Sequence, residues 1–273
     1  MVTRIHLLRL RPGFAVAALT AVVVMSLGPT PGEAAPRSTG ALVFVSDRAG
    51  SESLYLVNAD GSGLRKLVDD ARDPAWSRSG HTLAFLRDFK DDSILGSSTK
   101  LTVLDTGGTG EMRPVGMHPY CCSTFSWSPD GSRIAYEAIA YAGIYVTRID
   151  GSGERLLVAG VAFEPAWSPD GSRIAFIRRT DDDDQLSVID ADGTNERRVA
   201  TDVDFSVRPA WSPDGSKILF GREKLNIDQT SVDRNLYVIG SDGSGERKLA
   251  ATDINDDSPH SGRRTDGWWL SSA

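Results

Sequence analysis

The chain has 273 residues, 40% of them hydrophobic, and a formal net charge of −7. This is enough apolar material for one sizeable core or two small ones, while the acidic balance disfavours nucleic acids and anionic membranes as partners. Its two cysteines, Cys121 and Cys122, are adjacent and cannot staple distant segments. They are either incidental to the fold or a strained vicinal pair, so we expect stability to come from packing.

The first 34 residues have the order of a secretory signal peptide. Three arginines precede an apolar run from Phe14 to Leu27, and small residues follow up to Ala34. A basic end, a short apolar run and small residues before the cleavage point define such signals, and the run is short for a membrane anchor, which is the alternative. We therefore predict a signal peptide over 1–34 and a linker over 35–40. The protein is then extracytoplasmic, secreted or periplasmic, with no membrane span after cleavage. It keeps 27 Lys and Arg against 36 Asp and Glu, a net charge of −9.

From residue 41 onward the sequence is a repeat built from two halves. The first half appears as PAWSRSGHTLAF, FSWSPDGSRIAY, PAWSPDGSRIAF and PAWSPDGSKILF, and each copy is followed by a second half such as QLSVIDADGTNERRVA. One further second half, SLYLVNADGSGLRKLV, begins at Ser53, before any copy of the first half. The tryptophans of the four first halves are Trp76, Trp127, Trp167 and Trp211. Their spacing of 40 to 51 residues matches one four-stranded propeller blade per repeat.

Each repeat predicts four antiparallel strands, which we name a to d in chain order. Strand a ends at the Trp, and an SPDG turn joins it to strand b. In that turn Pro presets φ, Asp suits the next position and Gly supplies the positive φ that closes the hairpin. These turn glycines are Gly131, Gly171 and Gly215. Strand c is the apolar second half, and a DGSG turn leads to the more polar strand d. Such sheets must stack on one another, and we expect the Trp to pack between blades.

These motifs resemble those of the TolB-like propeller family, whose repeats carry a W-S-P-D-G turn, an apolar strand and a D-G-S-G turn. The resemblance extends from Ala41 to about Ser258. It implies an all-β fold, a β-propeller of four-stranded antiparallel blades. Five blades are recognisable, and we interpret them as derived from a six-bladed ring. TolB proteins carry a separate N-terminal domain, whereas only residues 35–40 separate the predicted signal from the first strand, so we do not expect a role in the Tol envelope system.

The two ends of the repeat array do not match. The first blade begins at strand b, which predicts that the far end of the chain supplies strand a and closes the ring. A copy of PAWSPDG is therefore due after residue 250, but the tail reads SPHSGRRTDGWWL. Codons that permit this tail can be read one base back as W-S-P-D-G-R-L-V-A, so our hypothesis is a frame slip. We predict a propeller over 41–258 and an aberrant tail over 259–273. The alternative is a five-bladed ring in which Trp268 and Trp269 replace the usual Trp.

Hairpin topology sorts the loops onto two faces. The a–b and c–d turns lie on one, which we name the turn face, and the b–c loops and d–a connections lie on the other, the irregular face. Because variable loops on a rigid scaffold usually carry binding, the irregular face is the candidate binding surface. Its acidic residues would attract a cationic protein segment or a metal ion, although they could equally serve to keep the protein soluble. The acidic candidates are Asp91, Asp92, Asp181, Asp182, Asp183, Asp184, Asp202 and Asp204.

The sequence shows no convincing motif for catalysis, metal binding or a cofactor. There is no G-x-S-x-G nucleophile elbow. Three histidines follow the predicted signal, and only His118 lies near the cysteines. Asp190, Asp192 and Asn195 approach the spacing of a calcium loop, but turn geometry explains the repeated Asp-Gly pair as well. We therefore predict no metal, no cofactor and no catalytic constellation.

Two functions fit this sequence. We favour an exported, non-enzymatic propeller of the cell envelope that binds a protein or peptide through the irregular face. The alternative is a saccharide-binding module, or a polysaccharide lyase or glycosidase, that uses the central channel. Catalysis there needs titratable side chains at the channel mouth, at the starts of strand a or the ends of strand b. Glu137 and Glu164 are the residues at such positions.

Overall fold

The computed structural model describes seven segments of the chain, which contain twenty β-strands and no helix. These segments are residues 40–48, 50–90, 97–106, 110–116, 124–138, 142–225 and 232–249. The predicted signal peptide and tail and most of the predicted linker lie outside the described residues, as do Asp91, Asp92, His118, Cys121 and Cys122. No helix in the described segments has the length and apolarity that a membrane span requires.

The strands form five antiparallel sheets. The first contains β1 (Ala41–Ser46), β2 (Ser53–Asn58) and β3 (Arg65–Asp69). The second contains β4 (Ala71–Trp76), β5 (Thr82–Lys90), β6 (Ser97–Asp105) and β7 (Met112–Pro114). The third contains β8 (Phe125–Trp127), β9 (Arg133–Ala138), β10 (Gly143–Arg148) and β11 (Arg155–Ala159). The fourth contains β12 (Ala162–Trp167), β13 (Arg173–Arg179), β14 (Asp184–Asp190) and β15 (Arg197–Ala200). The fifth contains β16 (Val203–Asp204), β17 (Ala210–Trp211), β18 (Lys217–Leu225), β19 (Val232–Gly240) and β20 (Arg247–Lys248).

Each sheet is one blade, and the order of its strands follows the chain. In blades 2, 3 and 4 strands a, b, c and d lie side by side in that order. In blade 5, β16 and β17 both pair with β18, so they are two halves of one strand a. Blade 1 has strands b, c and d among the described residues. The predicted fold class, an all-β propeller of four-stranded antiparallel blades, is confirmed.

The hydrophobic cores lie between the blades. Alternate residues of a strand point to opposite faces of its sheet, so one set packs on the preceding blade and the other on the following blade. In β13, for example, Ile174 and Phe176 pack against blade 3, whereas Ala175 and Ile177 pack against blade 5. Four such cores join blades 1 to 5 in chain order. Among the described residues, none joins blade 5 to blade 1.

The repeated tryptophans lie in these cores, at the inner ends of the blades. The indole N–H of Trp127 donates a hydrogen bond to the carbonyl oxygen of Ala75 at 3.1 Å, and that of Trp211 donates to Ala166 at 2.9 Å. Each bond joins strand a of one blade to strand a of the blade before it. The a strands of these adjacent blades are therefore neighbours. The four core tryptophans are Trp76, Trp127, Trp167 and Trp211.

The same network of side-chain hydrogen bonds stabilises the a–b turns of several blades on the turn face. In the a–b turn of blade 4, Asp170 accepts hydrogen bonds from the backbone N–H of Ser172 and from the hydroxyls of Ser168 and Ser172. Gly171 has a φ of 73°, which favours glycine. The hydrogen bonds favour the charged carboxylate, so they lower the pKa of Asp170 to about 2. The corresponding residues of blades 3 and 5 are Asp130, Gly131, Asp214 and Gly215.

Candidate functional site

Two blades carry the same distortion at the start of strand a. In β12, Phe163 pairs with Ile177 and Ala166 pairs with Ala175, so Glu164 and Pro165 together oppose one residue of β13. This is a β-bulge, a feature that bends a strand and re-aims a side chain. The bulge in β4 is at the same place and holds Asp73 and Pro74. The repeats thus aim an acidic side chain away from the regular alternation of the strand in both blades.

The backbone at both acidic residues is strained. Glu164 has a φ of 54° and Asp73 a φ of 50°. A residue other than glycine pays about 1–2 kcal/mol for this left-handed region, and a residue before proline prefers extended backbone. The rest of the bulge must compensate this cost in two separate blades. Strained backbone of this kind clusters at functional positions, so Glu164 and Asp73 are candidates for a functional site.

Four equivalent positions form a polar group at the central end of the a strands. Asp73 in blade 2 and Glu164 in blade 4 precede the Pro of Pro-Ala-Trp, and Arg208 in blade 5 does the same. In blade 3 the position is Thr124, which is buried and whose hydroxyl has no hydrogen-bond partner in the described structure. We name these four the mouth residues. They lie where the a strands of adjacent blades meet the irregular face.

Glu164 is the most enclosed charged group among the mouth residues. Its side chain is 18% exposed, and one carboxylate oxygen accepts a hydrogen bond from the Nε of Arg208 at 2.8 Å. Burial raises the pKa of Glu164 above its usual value, and the charge of Asp73 raises it further, while Arg208 acts in the opposite direction. Asp73 belongs to a blade two positions away, so its charge acts on Glu164 across the ring of a strands.

An exposed aromatic side chain lies beside this centre. Phe205, in the loop between β16 and β17, is 51% exposed and packs edge-on against Phe163, with ring centroids 6.1 Å apart. The guanidinium of Arg179 lies 5.1 Å from the centroid of each ring. Asp184 fixes that guanidinium through two hydrogen bonds of 2.9 Å. Blades 4 and 5 thus present a rigid aromatic platform on the irregular face.

The predicted acidic loop of blade 4 borders this platform. Asp184 belongs to the platform itself, and Asp183 accepts hydrogen bonds from Gln185 and from Thr180. Asp181 and Asp182 are exposed. Asp202 is also exposed, and its backbone N–H donates to Asp183 at 3.4 Å, so the d–a connection of blade 4 joins the same acidic patch. Of the acidic candidates in the described residues, these five are brought together.

The other two candidates in the described residues have different surroundings. Asp204 is 1% exposed and accepts hydrogen bonds from the backbone N–H and the hydroxyl of Ser206, so it shapes the loop that carries Phe205. Glu137 is half-buried in β9, and its backbone N–H donates to the carbonyl of Thr124 at 3.2 Å. Glu137 therefore lies next to a mouth residue, on the neighbouring strand.

Sequence reasoning missed Asp73, Arg179, Phe205 and Arg208. Asp73 and Arg208 could have been found by aligning the repeats, because each stands directly before Pro-Ala-Trp as Glu164 does. Nothing in the sequence pairs Phe205 with Arg179, since 26 positions and a blade boundary separate them. Their contact depends on how blade 5 docks on blade 4.

The residues weighed for calcium take part in turn bonding. Asn195 donates from its amide to Asp190 at 2.7 Å, and Asp192 accepts from the backbone N–H and the hydroxyl of Thr194. Nowhere in the described segments is a group of three or more His, Cys, Asp and Glu side chains arranged to hold a metal ion. The described site is built from ion pairs and aromatic contacts.

Five stacked antiparallel sheets, four of which carry the repeated Trp and three the SPDG turn, define a β-propeller. A family model described as the TolB beta propeller domain matches residues 90–267. The chain therefore belongs to the TolB β-propeller domain family, and the predicted resemblance is confirmed. A comparison with curated proteins gives no match.

Solved structures with the same fold include two TolB proteins and an enzyme. TolB from Acinetobacter baumannii has a TM-score of 0.59 at 15% identity, over 78% of this chain and 52% of that one. TolB from Agrobacterium tumefaciens has a TM-score of 0.55 at 22% identity, over 76% of each chain. An oligogalacturonate lyase in complex with manganese has a TM-score of 0.58 at 18% identity, over 78% of this chain and 62% of that one. The matched region spans about half the length of the Acinetobacter protein. At these identities the similarity shows the fold alone.

Proposed function

We propose that this protein is an exported, non-enzymatic propeller that binds a protein or peptide through its irregular face. The observation that carries the proposal is the platform of Phe205, Phe163 and Arg179 beside the ion pair of the largely buried Glu164 with the exposed Arg208. Half-exposed aromatic rings that are held rigidly lose little conformational entropy when a partner covers them. Such side chains are typical of protein-binding surfaces.

The charge around the platform favours a cationic partner. Asp181, Asp182 and Asp202 are exposed and make no salt bridge within the described residues. Arg179 and Arg208 are already paired with carboxylates, and Arg198, whose charge acts on Asp183, is one cation against these three carboxylates. The unmatched charge at this corner is therefore negative. A segment with Lys or Arg next to an apolar residue would match both the acidic patch and the platform.

A binding role also accounts for the state of the ionisable groups. Glu164 is bonded to Arg208 and Asp184 to Arg179, so both carboxylates are held in fixed geometry by cations. Fixed ion pairs at a protein surface orient a partner and suppress mismatched ones. Export is supported by the order of basic, apolar and small residues over 1–34, and the location follows from cleavage of that segment.

Selection from a phage-displayed library of random dodecapeptides tests the proposal. We expect the protein to enrich peptides with basic and apolar residues, and Phe205→Ala to weaken their binding about tenfold, a typical loss for an aromatic anchor. Enrichment without a sequence preference, or binding unchanged by Phe205→Ala, would contradict it. Turnover of any member of a polysaccharide panel would contradict the non-enzymatic part and favour the lyase or glycosidase alternative.

A further inference from the structure

Blades 2 and 3 carry equivalent pockets on the turn face. Each is formed where strand b begins, strand c ends and strand d begins, and the volumes are about 180 Å³ in blade 2 and about 200 Å³ in blade 3. The strand pairing establishes the equivalence, because an arginine of strand d pairs with a valine of strand c in both blades. The pocket of blade 3, which we name the arginine pocket, is lined by Arg133, Val146, Thr147, Arg148, Gly153 and Arg155.

The arginine pocket departs from the repeat at the last residue of strand c. In every blade this residue pairs with the first residue of strand b, so the position is well defined along the chain. In blades 1 to 5 it is Asn58, Asp105, Arg148, Asp190 and Gly240. Blade 3 therefore has a cation where both neighbouring blades have a carboxylate.

This departure places two like charges opposite each other. Arg148 pairs with Arg133, whereas in blade 4 Asp190 pairs with Arg173. Side chains directly opposite each other in an antiparallel pair lie on the same face, and like charges there destabilise the sheet. The guanidinium groups of Arg133 and Arg148 make no hydrogen bond or salt bridge within the described structure. An anion between them would remove this repulsion.

A third arginine is fixed against the same pocket. Arg155 pairs with Val146, which lies two residues before Arg148 in strand c, so Arg155 and Arg148 are on the same face of the sheet. The guanidinium of Arg155 donates to the carbonyl oxygens of Ala191 and Asp192 in blade 4. These bonds use two of its five N–H groups and hold the guanidinium in place. The other N–H groups make no hydrogen bond within the described residues.

The carboxylates near the arginine pocket have partners of their own. The three arginines act on aspartates of adjacent turns, but no salt bridge joins them in the described segments. Each aspartate accepts hydrogen bonds from a hydroxyl and a backbone N–H of its own turn. These aspartates are Asp130, Asp150 and Asp192. Glu154 is turned the other way, toward Gly116 of blade 2. The charged side chains that line the pocket are therefore all cations.

We propose that the arginine pocket binds one small phosphate-type anion between Arg133, Arg148 and Arg155. A phosphate group presents several oxygens, and each accepts hydrogen bonds from a guanidinium in the forked geometry that arginine favours. The anion replaces the repulsion between Arg133 and Arg148 by two attractions. We assign a soluble phosphate or phosphomonoester and not an anionic lipid surface, because the net charge of −7 repels such a surface. The pocket lies on the turn face, so this site is separate from the peptide-binding surface of the proposed function.

Isothermal titration calorimetry with inorganic phosphate, at constant ionic strength, tests this site. We expect one phosphate to bind per chain. Arg148→Asn gives blade 3 the uncharged residue of blade 1 and should weaken binding about tenfold, a typical loss for a charge-assisted hydrogen bond. Arg148→Asp gives it the residue of blades 2 and 4 and should abolish measurable binding, because a carboxylate then repels the anion. Arg148 is exposed, so neither change removes a core contact.

Arg247→Asn is the charge-matched control. Arg247 is exposed and pairs with Val238 in blade 5 as Arg155 pairs with its valine in blade 3, so this variant should bind phosphate as the unmodified protein does. Arg133→Thr copies the residue of blade 2 and is a second variant, which should weaken binding as Arg148→Asn does. The absence of phosphate binding, or equal weakening by Arg148→Asn and Arg247→Asn, would overturn the proposal.

Two further measurements distinguish a soluble anion from other causes of binding. The protein should not sediment with vesicles of phosphatidylcholine and phosphatidic acid in equal parts, and sedimentation without binding of inorganic phosphate would contradict the assignment. Phosphate should raise the Tm of the unmodified protein but not that of Arg148→Asp, because a ligand that binds the folded state stabilises it. An equal rise in both proteins would mean that phosphate acts only as a salt, which would also overturn the proposal.

Discussion

The Glu164–Arg208 pair makes a prediction about stability that depends on pH. Arg208→Gln removes the cation and leaves Glu164 in a site where its side chain is only 18% exposed, with Asp73 nearby. Two unit charges about 4 Å apart near a protein surface attract by roughly 4 kcal/mol. Arg208 is itself 53% exposed, and exposed pairs are worth about 0.2–1 kcal/mol. Between these limits we expect the variant to lose about 1–2 kcal/mol at pH 7.

The sign of the pH dependence follows from the direction of the pKa. Without Arg208 the pKa of Glu164 rises further, because only burial and Asp73 still act on it. A carboxyl whose folded pKa exceeds its unfolded value near 4.3 destabilises the fold above the folded pKa and ceases to do so once it is protonated. The stability lost in Arg208→Gln should therefore be largest at neutral pH and shrink as the pH approaches 4.

Urea unfolding at pH 7 and at pH 4 measures this difference. Glu164→Gln serves as the control, because it removes the charge that needs compensation, and Arg208→Gln made on that background should cost about the same at both pH values. A loss for Arg208→Gln that is equal at pH 7 and pH 4 would refute the reasoning, since it would mean that Arg208 acts through packing alone.

Two other predictions concern the scaffold. Asp130, Asp170 and Asp214 have pKa values of about 2, so these carboxylates stabilise the fold above their unfolded pKa near 4, and this contribution is lost as pH falls toward 2. Asp170→Asn should therefore flatten the Tm–pH curve between these values, and an unchanged curve would contradict the prediction. Trp211→Phe removes the hydrogen bond to Ala166 and weakens the cation–π contact with Arg173, so the free energy of unfolding in urea should fall by about 1–2 kcal/mol. An unchanged free energy of unfolding would mean that these contacts do not stabilise the packing of blade 5 on blade 4.

The repeat made the fold predictable from sequence. Trp127, the SPDG turn and the apolar strand after it recur at blade spacing, and local turn chemistry is enough to define each hairpin. The order of strands b, c and d in blade 1 was also predictable, because a second half of the repeat precedes the first Trp-containing half. The repeated pattern carries this information because equivalent residues are buried in successive blades.

The candidate site was only partly predictable, because it depends on departures from the repeat. Glu164 was singled out as an acid at the start of strand a, but its partner Arg208 belongs to another blade. No residue type in the sequence marks the bulge that re-aims Glu164. The contact between Phe205 and Phe163 forms only when blades 4 and 5 pack together. Contacts between blades are set by the stacking of whole sheets, which no local pattern encodes.

A comparison of two charge-matched variants tests most directly whether the irregular face binds. Asp181→Asn, Asp182→Asn and Asp202→Asn together remove three charges from the acidic patch. Asp60→Asn, Asp150→Asn and Asp242→Asn remove three from the turn face, where each asparagine keeps the side-chain oxygen that accepts the hydrogen bonds of the turn.

The measurement is the affinity of one selected basic peptide for the two triple variants at the same ionic strength, by isothermal titration calorimetry. The account predicts that the irregular-face variant binds about tenfold more weakly than the unmodified protein, while the turn-face variant binds as the unmodified protein does. Equal affinities of the two variants would contradict the account, because the peptide would then respond only to net charge.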